Sequence, residues 1–245
     1  LFRYGSYNFQ HVLFAEIDKN ALFELVNRKH IFSNDRKSQG RLSIKTQQLD
    51  LNNSFKDNIA KLESSSLHLP ITGFDLIICN FAFHYLIESQ NAVINIVKFI
   101  NHYLKPGGRF IFTAFDGQDI VDLLNNSNGE YESKDQGVVK YSIKKQYQGN
   151  LLLQCGQKIK VLLPFSKNEY YEEYLVNISY IESEFSKFGI SLESDRSFSE
   201  YLDDYKNQNS NGYSSMKDDD KKYVGLYHYY SFYKINKIKG GKRNV

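Results

Sequence analysis

Tryptophan is absent from this chain and methionine occurs once, so its aromatic character rests on 19 Tyr and 18 Phe. A lysine-, asparagine- and tyrosine-rich coding bias is the plain source of that excess. The structural alternatives are a core built on rings or a surface that displays them. Cysteine is scarce too. Cys79 and Cys155 fit no metal-ligand spacing, and Cys79 falls in an apolar run, which points to reduced thiols in a cytosolic protein. No apolar stretch approaches the ~18 residues of a membrane span and no signal peptide is visible, so a soluble, cytoplasmic protein without membrane contact is expected. Neither sign of charge dominates. The 31 Lys and Arg against 28 Asp and Glu leave +3, too little to argue for nucleic acid but no bar to a local basic groove.

Motifs are missing as well. No glycine-rich strand–turn–helix loop is present, and Pro106-Gly107-Gly108 stands at the wrong end of a helix to cradle a phosphate. That counts against NAD- and ATP-type chemistry. With no HExxH, Cys/His cluster or GxSxG, no metal site is expected and serine-hydrolase chemistry has no support. At 245 residues, 41% hydrophobic and 24% charged, the chain can form one large domain or two small ones around a sizeable core.

What is present is an alternation of strands and helices through residue 124. Residues 11–18 read as a short strand ending in Glu16 and Asp18, and residues 20–30 carry Leu22, Phe23, Leu25 and Val26 at helical spacing. Residues 41–50 alternate weakly and end in Leu49-Asp50, followed by a short helix over 55–62. The apolar run Leu76-Ile77-Ile78-Cys79-Asn80 reads as a parallel strand covered on both faces. An amphipathic helix over 91–104 stops at Lys105-Pro106-Gly107-Gly108, and the strand 109–114 and helix 116–124 follow. This pattern predicts a mostly parallel, doubly wound α/β sheet.

Beyond it, residues 125–137 read as a polar loop. Residues 138–147, 151–154 and 158–163 read as short strands, an antiparallel β region inserted at about 138–163. A long helix is expected over 169–188, capped at Gly189, then a strand at 190–192. Residues 207–222 read as a mobile loop, 224–235 as a tyrosine-heavy last strand and 237–245 as a basic tail.

Each candidate site residue has a plain reading beside the functional one. Glu16 or Asp18 can accept both hydroxyls of a ribose, or serve as helix N-terminal acids worth ~0.3–1 kcal/mol. Asp50 can accept an adenine amino group or begin a turn. His84 can be structural, an acid–base residue or a purine-reading donor. Its place beside Asn80, Phe81, Phe83 and Tyr85, at the carboxyl end of a parallel strand, favours a site. Glu172 and Glu173 can simply charge the start of a helix, and Tyr227, Tyr229, Tyr230 and Tyr233 can simply alternate along a strand.

Four blocks together resemble the messenger RNA cap guanine-N7 methyltransferases, most of all the methyltransferase domains in capping enzymes of large DNA viruses. They are Phe74-Asp75 through Asn80-Phe81-Ala82-Phe83-His84-Tyr85, Leu104-Lys105-Pro106-Gly107-Gly108-Arg109-Phe110-Ile111-Phe112-Thr113, Glu173-Tyr174-Leu175-Val176 before Phe188-Gly189, and Leu226-Tyr227 through Phe232. The resemblance runs over most of the chain in the expected order. It implies a class I, S-adenosylmethionine-dependent methyltransferase (Rossmann-like) α/β fold with the inserted antiparallel β region and an antiparallel final hairpin. Residues 1–236 would form the methyltransferase domain.

The resemblance also implies roles. Glu16, with Asp18 close by, would hold the ribose of S-adenosylmethionine, and Asp50 and Leu51 would flank its adenine. Asn80, the backbone of Phe81, and Tyr85 would face its methionine portion and methyl group. Phe81, His84 and Tyr85 would hold and position the cap guanine without any catalytic base, with Phe115, Glu173 and Tyr227 completing its pocket. Glu173 would bind the Watson–Crick edge and His84 the carbonyl oxygen. The implied partners are a GpppN-ended RNA, triphosphatase and guanylyltransferase domains of the same polypeptide, and a stimulatory subunit, in a host cytoplasm or virion.

Two departures stand out. Asn80 replaces the family's usual glutamine, and the family's acidic, glycine-rich first motif is missing. Leu1-Phe2-Arg3-Tyr4 resembles the residues just after that motif, so the chain is expected to begin inside the domain. Two other functions stay open: methylation of another RNA site or a small molecule, and a catalytically silent, methyltransferase-like subunit that stimulates a capping partner.

Overall fold

The computed structural model describes residues 9–35, 43–65, 67–166 and 168–236. Leu1-Phe2-Arg3-Tyr4 and the expected basic tail at 237–245 lie outside these. The chain divides into two compact units, Leu1–Gly73 and Phe74–Val245.

In the first unit, β1 (His11–Glu16) and β2 (Ser43–Gln48) pair in parallel, from His11 opposite Ser43 to Glu16 opposite Gln48. A parallel pair needs a crossover, and α1 (Lys19–Asp35) lies in that connection. Asp50 opens the turn that follows β2 by accepting from Asn52 N at 2.9 Å. Ser54 then caps α2 (Phe55–Glu63), its hydroxyl accepting from Asp57 N. Among the described residues of this unit, Ile44, Leu49 and Leu62 are the buried apolar ones.

The second unit is built on a four-stranded sheet in the order β3 (Phe74–Asn80), β4 (Leu104–Phe115), β10 (Tyr227–Lys234), β9 (Ile190–Ser197). β3 and β4 are parallel, joined through α3 (Gln90–Tyr103), while β10 runs antiparallel between β4 and β9. The final antiparallel hairpin is as expected. At Gly108 the chain is crowded by both strands: a Cβ there would lie 2.9 Å from Lys105 O of β4 and 3.0 Å from Asp75 O of β3. The tight approach accounts for Gly108, and a φ of +81° accounts for Gly107.

The aromatic excess resolves as a core of rings. Phe83, Phe110, Phe112, Phe185, Tyr230 and Phe232 are fully buried. Phe112 stacks on Phe83 at 4.2 Å and on Tyr230 at 4.7 Å. Each such side chain contributes ~1.5–3 kcal/mol through burial, and each good ring pair ~0.5–1.5 kcal/mol more.

Between β4 and β9 the chain forms α4 (Gly117–Asn126), then an antiparallel sheet of β5 (Glu130–Asp135), β6 (Val138–Lys145), β7 (Lys158–Leu162) and β8 (Tyr170–Tyr174), then α5 (Ile178–Ser186). Tyr131, Tyr141, Ile143, Ile159 and Val161 of this sheet pack against Ile120, Val121 and Leu124 of α4 and Tyr223. Three helices, α6 (Leu202–Gln208), α7 (Ser210–Ser215) and α8 (Asp218–Gly225), precede β10.

Four expectations are corrected here. The inserted sheet is wider than 138–163, because 130–135, read as loop, is strand β5 and pairs with β6. Residues 151–154 are not a strand. Their backbone is served locally, as where Gln157 accepts from Leu153 N and donates to Leu151 O. The single long helix over 169–188 is instead β8 followed by α5. Tyr170–Tyr174 pairs along β7, and the Asn177 side chain starts a new helix by accepting from Tyr180 N. Tyrosine's preference for pleated surfaces prevails over the helix-like spacing. Residues 207–222 are helical rather than loop. Asn209 caps α7, and Asp220 accepts from Lys217 N to close the first turn of α8.

Candidate functional site

The site grows from the carboxyl end of β3. Immediately after Asn80, Phe81 takes a left-handed backbone conformation with φ +51°, which is costly for a residue with a Cβ. It is held there because Phe81 N donates to both the carbonyl oxygen and Oγ1 of Thr113, each at 3.0 Å. A single 3₁₀ turn, Phe83–Tyr85, follows. Phe83 points into the core and anchors the turn on Phe112. Its neighbours are left at the surface, Phe81 49% and Tyr85 39% exposed. The ring of His84 is buried between them in sequence, edge-on to Tyr85 at 4.2 Å.

The end of β4 draws in two distant segments. Asp116 N donates to Leu226 O, just before β10, and Gly117 N donates to Val176 O, just after β8. A Cβ on Gly117 would lie 2.3 Å from that carbonyl, so only glycine allows the approach. Asp116 caps α4 with one carboxylate oxygen and accepts from the buried Tyr230 hydroxyl with the other. These bonds place Phe115, Glu173 and Tyr227 beside the turn. Tyr227 stacks on Phe115 at 3.9 Å and receives Phe81 edge-on at 5.2 Å.

Electrostatically the site holds an acid and an imidazole that burial drives away from charge. Glu173, 4% exposed, has its pKa pushed up to about 7, and His84, also 4% exposed, has its pKa pushed down to about 4. Glu173 Oε2 lies 3.7 Å from His84 Nε2. Near neutral pH the imidazole is therefore neutral. That oxygen and both imidazole nitrogens are buried without a hydrogen-bond partner. Each such orphan costs roughly 1–3 kcal/mol, so three at one place call for a ligand.

The family model of the mRNA (guanine-N(7))-methyltransferase domain matches residues 16–232. The chain belongs to this family.

The mRNA-capping enzyme of African swine fever virus (strain Badajoz 1971 Vero-adapted) is 30% identical over 229 residues, 92% of this chain and 26% of the viral protein. The probable mRNA-capping enzyme of Acanthamoeba polyphaga mimivirus is 28% identical over 141 residues, 55% of this chain and 12% of that protein. The chain thus spans about a quarter of the length of the swine fever virus relative. Among solved structures, an S-adenosylmethionine-dependent methyltransferase from Clostridium acetobutylicum ATCC 824 superposes with a TM-score of 0.53 at 16% identity, covering 93% of this chain and 76% of that one. That likeness carries the fold, the class I Rossmann-like methyltransferase architecture.

Of the residues singled out in sequence, Phe81, His84, Tyr85, Phe115, Glu173 and Tyr227 come together in the second unit, with Asn80 at the adjoining strand end. Glu173 does so from a strand, not from the start of a helix. Glu16, Asp18, Asp50 and Leu51 lie in the first unit, at the carboxyl ends of β1 and β2. There the turn roles are visible. Glu16 Oε1 accepts from Ile17 N and Asp18 N, and Asp18 Oδ1 accepts from Asn20 N at the start of α1. Thr113 and Tyr223 were not foreseen. Thr113 carries no mark in the sequence, whereas Tyr223 stands four residues before Tyr227.

Proposed function

We propose that the chain transfers the methyl group of S-adenosylmethionine to nitrogen-7 of the guanosine cap of mRNA, as one domain of a capping enzyme. The observation that carries this reading is the pair of buried, unpartnered groups, Glu173 and His84, set beside Phe81, Tyr85 and Tyr227. Guanine offers two N–H donors next to one carbonyl acceptor, the complement of a carboxylate next to an imidazole N–H. Ionised Glu173 accepts from N1 and the exocyclic amine, and neutral His84 donates to the carbonyl oxygen. Adenine, with an acceptor at N1, leaves the carboxylate unpaired. Sites built on such buried polar groups discriminate strongly against a mismatched ligand.

Nitrogen-7 already carries a lone pair, so its attack needs no general base. The work left to the protein is alignment, which in favourable cases accounts for ~7–11 kcal/mol of barrier. Phe81 and Tyr85 hold the base where the reacting atoms line up, with Phe115 and Tyr227 as its wall. The methylated base is a cation, which the same rings and carboxylate favour.

The donors present suit S-adenosylmethionine, which supplies an electrophilic sulfonium methyl when bound. In the first unit, Glu16, Asp18, Asp50 and Leu51 lie at the carboxyl edge where α/β sheets take their ligands. One oxygen of Glu16, Asp18 and Asp50 serves a local N–H, and the second is the one a ribose or adenine takes. In the second unit, Asn80, the backbone of Phe81, and Tyr85 face the methionine portion. A capped RNA end and the triphosphatase and guanylyltransferase domains of a longer polypeptide are the proposed partners, in a cytoplasm where Cys79 stays a thiol. At saturating labelled S-adenosylmethionine the protein should label RNA ending in GpppN and leave triphosphate-ended RNA unlabelled. Equal labelling of both would remove the cap from the reading.

A further inference from the structure

A third buried polar group at this site is unexplained by the cap-binding residues. Tyr223 lies on α8, 7% exposed, and its hydroxyl has no hydrogen bond of normal geometry. Its ring is the hub of the surrounding aromatics. It stacks on Tyr141 of β6 at 4.2 Å with the planes 16° apart, and it meets Phe115 and Tyr227 edge-on at 5.7 and 5.9 Å. Tyr141 is fixed in turn, because its hydroxyl donates to Asp220 at the start of α8, where Lys140 also pairs. The ring of Tyr223 therefore cannot swing away without breaking a stack anchored at both ends. Rigid packing of this kind holds a site to the accuracy that recognition needs.

A buried hydroxyl on so fixed a ring is idle only if nothing polar comes near it. Glu173 Oε2 is likewise buried and without a partner. Burial is the main cause that raises the pKa of the Tyr223, Tyr227 and Tyr85 hydroxyls; the two neighbouring phenols Tyr223 and Tyr227 act on each other, and the charge of Glu173 adds to the rise at all three. The Glu173 carboxylate has the His84 imidazole 3.7 Å away, and its charge reaches these three phenols. Lys145, at the end of β6, and Lys158 of β7 pair elsewhere, with Asn150 and Glu172.

We propose that Tyr223 is a positioning residue of the guanine pocket: its ring braces Tyr227 against Phe115, and its hydroxyl donates toward the Glu173 carboxylate when the base is bound. The inference rests on the cap-binding reading of Glu173. Donation to an ionised carboxylate holds it in the form that accepts from guanine, and such bonds are often long in the empty site and tighten on binding. The inserted sheet then has a task, since Tyr141 is what seats Tyr223.

Calorimetric titration of the full chain with the dinucleotides GpppG and ApppA tests this without any need for methyl transfer. Tyr223→Phe keeps the ring and its stack. It should weaken GpppG binding about tenfold at neutral pH, the factor a hydrogen bond to a charged group typically carries. It should also move the pH at which binding is half lost upward. In a Glu173→Gln background the same change should cost nothing further. Wild-type GpppG affinity and pH profile in Tyr223→Phe would overturn the proposal. So would an equal loss in both backgrounds, which would mean that the hydroxyl touches the ligand itself. If GpppG binds no tighter than ApppA and Glu173→Gln changes nothing, the cap-binding reading fails, and the role of Tyr223 falls with it.

Discussion

Glu173 Oε2 and His84 Nε2 face each other across 3.7 Å, both buried and both without a hydrogen bond. They come from elements far apart in sequence, the strand β8 and the 3₁₀ turn after β3. Burial disfavours the charged form of both. Burial keeps the imidazole neutral and holds a proton on the acid up to about pH 7. A pocket with two such groups suits a ligand that supplies what each lacks.

The first prediction concerns pH and cap binding. Guanine recognition requires the carboxylate form of Glu173, so GpppG affinity should fall as pH drops through about 7. Glu173→Gln should bind weakly and lose that dependence. Calorimetry from pH 5.5 to 8.5 in roughly unit steps of the kind that resolve a single titration is sufficient. A flat wild-type profile would count against the assignment.

Stability should respond to pH in a way that only the pair explains. Glu173 has a folded pKa above its unfolded one, so between about 4.5 and about 7 the folded state binds the extra proton and stability falls as pH rises. His84 has a folded pKa below its unfolded one, so between about 4 and about 6.5 the unfolded state binds the extra proton and stability rises with pH. The two slopes oppose each other where the windows overlap. Glu173→Gln removes one of them, and urea unfolding of that variant should show stability climbing with pH across the His84 window more steeply than in wild type.

Substitutions in the pocket should separate cap from cofactor. Tyr227→Ala and Glu173→Ala should lower kcat/KM for capped RNA by about 10- to 100-fold, from loss of a ring wall and of charge-assisted bonds. The KM for S-adenosylmethionine should change by less than about twofold in Glu173→Ala, consistent with a contact to base alone. Normal cap kinetics in both variants would dismantle the pocket as assigned.

Thr113 supports the site through the backbone. Thr113→Val keeps the branched shape that suits β4 but removes the Oγ1 that accepts from Phe81 N. Loss of this bond should cost about 1 kcal/mol in urea unfolding. It should also raise the KM for capped RNA, because Phe81 is free to relax from its left-handed conformation. Unchanged stability and KM would show that the Thr113 carbonyl alone suffices.

The cofactor side yields a last expectation. With no glycine-rich strand–turn–helix loop in its 245 residues, the chain should bind S-adenosylmethionine only weakly. Calorimetry returning micromolar affinity would contradict this.

Much of the parallel framework was legible from local pattern. The run Leu76 to Asn80, the helix that stops before Pro106 and the acids ending β1 and β2 all follow from periodicity and breakers that act within a few residues. So did the gathering of Phe81, His84 and Tyr85, which are consecutive or nearly so. The second half was harder to read. Tyr170–Tyr174 is a strand because β7 lies beside it, and 130–135 is a strand because β6 does. Those partners lie close in sequence, Asp135 opposite Val138 and Leu162 opposite Tyr170, but the charged and tyrosine residues of these stretches carry no apolar alternation that would mark them as strands.

The sequence by itself determined which side chains could make a base pocket, since only those residue types offer flat faces beside a carboxylate and an imidazole. Tertiary structure alone decided that Glu173 and His84 lose their charge and stand unpaired, because burial is a property of the assembled fold and not of either residue. It alone seated Tyr223 between Tyr141 and Tyr227. The contact between α8 and the inserted sheet spans some eighty residues of chain, a separation over which no local pattern reaches.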